Sequence, residues 1–437
     1  MKRSWKDWLL RNYHWVIFGA VFIEYTVSIG LANNIYSLFI IPVTQTFGIT
    51  RGTFSIASSI KYIAAFCSNL TFGLLYRRWG YRTMTTLALV MSTVAYAGYA
   101  LSGNIVPFYL GAVLVGISES FFSTAGTSRI ITDWFHRHQG TVLGIVMAAS
   151  GLGGTVFSVG LSEVMEHSGW RSAMWISAGL LLFSAVLIGL LVRDAPAWMG
   201  LQPYGDAEDR EHARKQRAKR HAHHESAWAG FGFARLRKRP CFYLAVAAAL
   251  LMGIANYGIS GQLVAYWQDC GMTATAAASA QGIMYLVLAV EKVVLGVICD
   301  RFGARAGMML CMGCNLGGML LLQTLPGYGG AVAGATVFAV GLCCTSIMLP
   351  VLTSDLFGQA DYATVLGILL AMLSLSGAVA SPMVNFIYDR AGSYIPAMRM
   401  LVGVSVLTIT LYLLSFRGAS RDRRRMEAEQ GKSREEA

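Results

Sequence analysis

The chain has 437 residues, 55% of them hydrophobic and only 13% charged, with a mean hydropathy of +0.52 and a formal net charge of +12. So much apolar surface cannot be hidden inside a water-soluble fold of this size, so a bilayer is the implied solvent. The basic residues lie between or beside hydrophobic stretches instead of forming one groove-lining domain, which argues against a nucleic-acid partner.

A spanning helix needs about 20 mainly apolar residues. Such stretches recur twelve times, near 15–43, 53–76, 83–102, 106–131, 140–164, 170–192, 241–266, 275–299, 305–325, 329–354, 363–388 and 395–416. The basic, aromatic start MKRSWKDWLLRNYHW leads into a run too long for a signal-peptide core, and no small-residue cleavage pattern follows. It reads as a retained cytoplasmic lead.

Taken in chain order, the first span carries Glu24, Asn33, Asn34 and Tyr36, the second Lys61, the fourth Glu119 and Arg129, and the fifth Ser150. Charges near the bilayer middle cost several kcal/mol by most estimates, so each is a functional candidate by default. Lys61 and Glu119 lie at similar depth, which makes a buried pair geometrically possible. Glu24 reads as a gate or packing acid that meets water when the protein opens inward, and Arg129 is near enough to the membrane edge to snorkel. Between the sixth and seventh spans lies one long polar stretch. Its His221-Ala222-His223-His224 tract reads as ordinary linker, with no fixed further ligand for a metal.

The seventh span contributes Asn256, Tyr257 and Gln262, and the eighth Glu291 and Lys292. Lys292 precedes Asp300 by eight residues, about 12 Å along a helix, so it falls near the midplane where a solute site belongs. Neighbours on a helix point about 100° apart, so Glu291 and Lys292 do not form a simple pair. A desolvated Glu291 could load and release a proton, as could Glu119. The eight cysteines mostly fall in apolar segments. Even Cys311-x-x-Cys314 sits in an apolar helix and reads as core, so neither a metal nor a cofactor is expected.

With both termini on the cytoplasmic side, 28 of the 35 basic residues fall in cytoplasmic segments, which sets the expected orientation. The halves also repeat at one offset of 223 residues: Gly73 with Gly296, Arg78 with Arg301, Gly80 with Gly303, Arg82 with Arg305, Gly169 with Gly392, and Thr141 to Ile145 letter for letter with Thr364 to Ile368. A duplicated six-helix unit explains this register. The expected division is residues 1–193 and 241–416 as two bundles, 194–240 as a cytoplasmic linker and 417–437 as a short soluble tail.

Gly296 to Arg305 reads Gly-x-x-x-Asp-Arg-x-Gly-x-Arg, and Gly73 to Arg82 matches it except that Arg77 replaces the acid. At these residues the chain resembles the major facilitator superfamily over essentially the whole helical region. The resemblance implies an all-α membrane protein of twelve transmembrane helices in two six-helix halves, working by alternating access. It makes Gly73, Arg77, Arg78, Gly80, Arg82, Gly296, Asp300, Arg301, Gly303 and Arg305 gating residues. With Arg77 in place of the acid, the first-half latch is weaker or partnered differently.

A finer resemblance is to the oxalate/formate antiporter and monocarboxylate transporter branch. It rests on Trp134-Phe135-x-Arg137-x-x-Gly140, Gly144 and Ser150 to Gly154, Gly200-Leu201-x-Pro203-Tyr204-Gly205, Asp355 to Gly358, and Tyr388-Asp389-x-x-Gly392-Ser393-Tyr394. In that branch a helix-eight arginine with this spacing holds a carboxylate. Lysine offers a point charge instead of a fork, so neighbouring donors must orient the anion. Two departures matter: Leu373 stands where oxalate exchangers have a second cation, which argues for a monocarboxylate, and Asn33 stands where proton-coupled monocarboxylate carriers have a lysine.

The expectation is therefore a secondary active transporter of a small organic anion, a monocarboxylate, by exchange or proton coupling. It is a monomer in contact with lipid in the cell (plasma or inner) membrane, and not an enzyme. Lys292 and Lys61, with Asn33, Tyr36, Asn256, Tyr257 and Gln262, form the expected solute site; the less favoured alternative for Lys292 is a structural lysine paired with Glu119 or another buried acid. No GxxxxGK[ST] loop occurs, so a gradient must supply the energy. The rival is a proton-driven exporter of a hydrophobic or cationic compound, since Glu24, Glu119 and Glu291 outnumber Lys61 and Lys292. A transporter-shaped receptor or a membrane enzyme would need a sensory domain or an activated nucleophile, and the sequence has neither signature.

Overall fold

The computed structural model describes residues 12–122, 124–137, 139–205, 233–358 and 361–435. Besides the short turns Pro196–Met199 and Phe233–Leu236, twelve long helical segments emerge in chain order: α1 13–47, α2 51–79, α3 81–100, α4 106–134, α5 139–168, α6 170–191, α7 240–269, α8 274–302, α9 304–324, α10 327–357, α11 362–391 and α12 395–435. Most of the polar linker, including the histidine tract, lies outside the described residues. The last helix continues to Glu435 instead of stopping at the end of its apolar stretch.

Among the described residues, eight stretches are long and apolar enough to cross a bilayer on composition alone, one of them covering both α5 and α6. Of the three remaining helices, α2, α3 and α10, α2 carries Lys61 and α10 contains a π-turn over Cys344–Met348. A second π-turn, Gly30–Asn34, interrupts α1. Such turns widen the helix and leave backbone carbonyls free for other partners.

The repeat is written into the backbone. Positive φ occurs at Gly80 and Gly303, at Gly169 and Gly392, and also at Gly48 and Gly271, all pairs 223 residues apart. A left-handed turn favours glycine because a Cβ would crowd the neighbouring carbonyl. The caps agree with the register: Thr50 accepts from the Thr53 amide to start α2, and Thr273 accepts from the Ala276 amide to start α8, each at 3.2 Å.

Small residues let the helices cross closely. A Cβ on Gly153 of α5 would strike the Thr26 carbonyl of α1 and approach Gly30 Cα at 3.2 Å, and one on Gly341 of α10 would strike Asn315 of α9. Between the halves, α2 lies on α11 and α5 on α8: Tyr62 covers Gly377, and Gly151 meets Tyr285 and Ala289. One apolar core runs from the first half into α7, α8, α9, α10, α11 and α12 near the face that bears Arg51. A separate core, including Phe242, Leu295, Met348 and Leu373, fills the second half towards the linker face. The halves thus share a core at one end and have distinct cores at the other.

Candidate functional site

The centre of the bundle collects most of the polar groups singled out above. In the first half, Lys61 Nζ lies 3.4 Å from Glu119 Oε2, so the pair that the sequence made possible is formed. The same amine donates to Asn33 Oδ1 at 2.7 Å and to the Ala32 carbonyl at 3.2 Å. Asn33 Nδ2 in turn donates to Glu119 Oε1 at 2.9 Å, closing a triangle between α1, α2 and α4. This lysine is compensated in charge and in hydrogen bonds.

Lys292 is situated differently. Its Nζ reaches across the seam to Ser150 Oγ on α5 at 3.3 Å. Among the described residues it forms no ion pair. The preceding residue, Glu291, has Cys314 and Cys343 as electrostatic neighbours, Cys343 being shared with Lys292, and its Oε2 is buried without a hydrogen-bond partner among the described residues.

The π-turn of α1 supplies the link between these centres. Asn34 donates from Nδ2 to the Ser150 carbonyl at 2.9 Å, and its own carbonyl accepts from the Tyr285 hydroxyl at 3.2 Å. Tyr62 and Tyr257 approach from opposite halves with ring centroids 5.6 Å apart. Tyr36 stacks on Phe54 at 5.3 Å. Gln262 donates to Ser381 Oγ at 2.8 Å and is almost fully buried. Asn256 stands apart: fully buried, it accepts from Asn315 Nδ2, and Asn315 Oδ1 accepts from Ser405, which places it in a contact of α7, α9 and α12.

Glu24 has no water contact, although its position suggested exposure on inward opening. It is 0% exposed, and accepts from Ser28 Oγ at 2.8 Å and from Tyr81 of α3 at 3.3 Å. Arg129 is exposed and pairs with Asp133 one turn later at 3.1 Å. None of the eight cysteines is in a disulfide. No group of three or more His, Cys, Asp or Glu side chains could hold a metal ion among the described residues.

At the linker face, the side chains of Arg77 and Asp300 lie outside the described set, as do positions 73 and 296. Arg78, Arg301 and Arg305 are exposed. Arg82 is anchored: its guanidinium Nε donates to the Gly189 carbonyl at 2.8 Å, and its amide donates to Asp194 Oδ1 at 2.7 Å. Asp194 therefore sits on the N-terminus of α3, where unsatisfied amides and the helix dipole favour an anion. A Cβ at Gly80 would collide with that carboxylate. An acid from the end of α6 thus reaches the loop whose own acid is replaced by Arg77, a partner that the motif alone did not indicate.

Two quoted motifs prove to be one structure. Tyr204 donates its amide to the Trp134 carbonyl at 2.9 Å and accepts from His136 and Arg137 at 3.0 and 3.1 Å. The Trp134 indole donates to the Arg193 carbonyl at 2.8 Å, and His14, Trp15 and Phe135 surround the Tyr204 ring.

The opposite face is closed. Arg51, at the start of α2, makes two bonds to Asp269 of α7, at 2.6 and 2.8 Å. Its guanidinium carbon lies 4.0 Å from the ring centre of Tyr388. Asp389 of α11 accepts from the Arg51 and Gly52 amides at 3.1 and 2.8 Å, and Gln281 of α8 donates to Ser37 of α1 at 2.8 Å. Asp389, Tyr388 and Tyr394 belong to a motif noted in the sequence, but their partner Arg51 was legible only as a charge near the membrane edge.

A family profile described as Major Facilitator Superfamily matches residues 25–381, with a second match over 246–435. A probable hexose phosphate transport protein of Chlamydia pneumoniae is 21% identical over 239 residues, covering 54% of this chain and 49% of that protein. Monocarboxylate transporter 12 of Rattus norvegicus is 22% identical over 302 residues, covering 65% of this chain and 61% of that one. The chain thus spans about half the length of the first of these relatives. Two solved structures, each 14% identical, share the fold: a bacterial homologue of the human lysosomal transporter Spinster, inward-facing and unoccupied (TM-score 0.70, covering 93% of this chain and 97% of that one), and a D-xylose-proton symporter (TM-score 0.70, 93% and 98%).

Proposed function

The chain belongs to the Major Facilitator Superfamily, whose members are secondary transporters and not enzymes, and from that premise we propose that it carries a small organic monoanion, a monocarboxylate, with Lys292 as its principal charge contact. The observation behind this reading is the unequal state of the two central lysines. Lys61 is neutralised by Glu119, whereas Lys292 donates to the Ser150 hydroxyl, has the Cys343 thiol nearby and meets no acid in an ion pair among the described residues. A cation held in a low-dielectric seam without an acid is costly unless an anion visits it. Ser150 contacts it directly, and Asn34 and Tyr285 join Ser150 through the Ser150 and Asn34 carbonyls, polar groups able to orient a carboxylate that a lone amine only attracts. The similarity to a monocarboxylate transporter supports the same class, and that to a hexose phosphate transport protein is also to a carrier of an anion by name.

In this reading Lys61, Asn33, Glu119 and Tyr36 shape the first-half wall, Tyr257 and Gln262 of α7 the second-half wall, and Asn256 acts as a helix contact. Glu291, with an unpartnered buried oxygen, is the proposed proton carrier if transport is proton-coupled. The basic linker face is cytoplasmic, along with both termini, in the cell membrane, so the closed Arg51 face is external. The carrier acts as a monomer built from bundles 1–193 and 241–416.

The test is a thermal-shift screen of small carboxylates on the wild type and Lys292→Gln, since a ligand that binds the folded state raises its apparent stability by mass action. A carboxylate that stabilises the wild type but not Lys292→Gln supports the reading. An equal shift in both overturns it.

A further inference from the structure

The repeat register makes the closed face a comparison of like with like. At an offset of 223, Thr50 matches Thr273, Gly52 matches Thr275, and Asp389 matches Glu166. Each acid stands at the end of its helix, α11 or α5, and each meets the first turn of the crossing helix, α2 or α8. Asp389 accepts two backbone amides, those of Arg51 and Gly52. Glu166 accepts one hydroxyl, that of Thr275, at 2.6 Å.

The difference follows from one residue. At position 52 there is no Cβ, and one built there would lie 2.5 Å from Asp389 Oδ2 and strike the Phe386 ring. Glycine therefore lets the carboxylate reach the orphan amides of the helix start, where the dipole also favours it. At the matching position, Glu166 meets a side-chain hydroxyl instead. Among the described residues, the first contact is reinforced by an arginine, through the two Arg51–Asp269 bonds beneath Tyr388, while Glu166 has the exposed His167 beside it.

We propose that these are paired clasps holding the Arg51 face shut, and that the α2/α11 clasp carries most of the closure while the α5/α8 clasp is the weaker partner. Opening of this face then requires Asp389 to leave the α2 terminus and Arg51 to leave Asp269, and the α5/α8 side yields with less resistance. The inference goes beyond the substrate reading and holds whichever solute the centre takes.

The experiment measures the distance between spin labels at Gly103→Cys and Gly329→Cys, one in each half on this face, where an added side chain meets nothing within 4 Å. Cys67, Cys270, Cys299 and Cys314 are replaced by alanine, and the four buried thiols are kept. In the ligand-free full chain, Asp389→Ala and Gly52→Ala each raise the long-distance population about tenfold, and Glu166→Ala raises it about threefold or less. Arg51→Asp and Asp269→Arg each open the face, and their combination closes it again. Gly52→Ala removes no polar group, so with the charge swap it decides the matter should Asp389→Ala fail to fold. Distances unchanged in Gly52→Ala and in the single charge variants overturn the proposal, as does a Glu166→Ala shift equal to that of Asp389→Ala.

Discussion

Lys292 Nζ lies 3.3 Å from Ser150 Oγ across the seam between the halves, and this contact ties the one central lysine without a described acid to α5 of the other half. Any motion that separates α5 from α8 at this depth must break it.

Ser150→Ala removes a single hydrogen-bond acceptor from the amine. Folding stability should fall by about 1 kcal/mol, the usual worth of one such bond. Carboxylate-dependent stabilisation should persist, because the amine itself remains. Melting curves with and without the carboxylate separate these effects, and loss of the ligand response in this variant would show that the hydroxyl, not the amine, dominates recognition.

The Lys61–Glu119 pair predicts strong coupling. Glu119→Leu leaves the amine with Asn33 and the Ala32 carbonyl but no counter-charge and should destabilise the protein by ~2 kcal/mol, below the ~3–5 kcal/mol of a fully buried pair because both side chains keep some solvent contact. Lys61→Met should behave similarly. The double variant should be less destabilised than the sum of the two, and a thermal double-mutant cycle with no coupling would refute a structural pair.

Asp194 and Gly80 make a further pair. Gly80→Ala places a Cβ both at positive φ and against the Asp194 carboxylate, whereas at Gly303, the matching position, an added Cβ meets nothing within 4 Å. Gly80→Ala should therefore reduce stability by more than Gly303→Ala, with the latter near ~1 kcal/mol from backbone strain. Asp194→Ala should itself cost about 1 kcal/mol by removing the cap on α3, seen as faster hydrogen exchange at the Arg82 amide. Equal losses at the two glycines would mean that the carboxylate does not occupy this place.

Tyr204 predicts a local effect at the linker face. Tyr204→Ala removes a ring packed among His14, Trp15 and Phe135 and should lower stability by about 2 kcal/mol, less than a fully buried aromatic because the ring is only half-buried. Exchange should quicken at the His136 and Arg137 amides, which donate to the Tyr204 carbonyl, while the spin-label distances on the Arg51 face stay unchanged.

The twelve apolar stretches and the 223-residue repeat were legible because both are one-dimensional. A bilayer imposes a length on every helix, and duplication leaves glycines and caps at a constant spacing. The pairs Gly80 with Gly303 and Gly169 with Gly392 were visible as letters before their left-handed backbone was seen. The helix ends were less legible: most run a few residues past their apolar limits into the interface, and α12 runs to Glu435, since a helix can continue in water once its bonds are satisfied internally.

The sequence by itself determined which groups are costly in a membrane: Lys61, Glu119, Glu291 and Lys292 declare themselves by charge alone. Only the tertiary structure decided which of them are compensated. Lys61 meets Glu119 and Asn33 through the crossing of α1, α2 and α4, Lys292 meets a hydroxyl, and Asn256 turns into a helix contact. Asp194 and Asp389 act on helix ends distant in the chain, Arg82 and Gly52 respectively. Electrostatic energy depends on separation in space, and one-dimensional spacing fixes that separation only within a single helix, so partners across helices emerge only when the bundle is assembled.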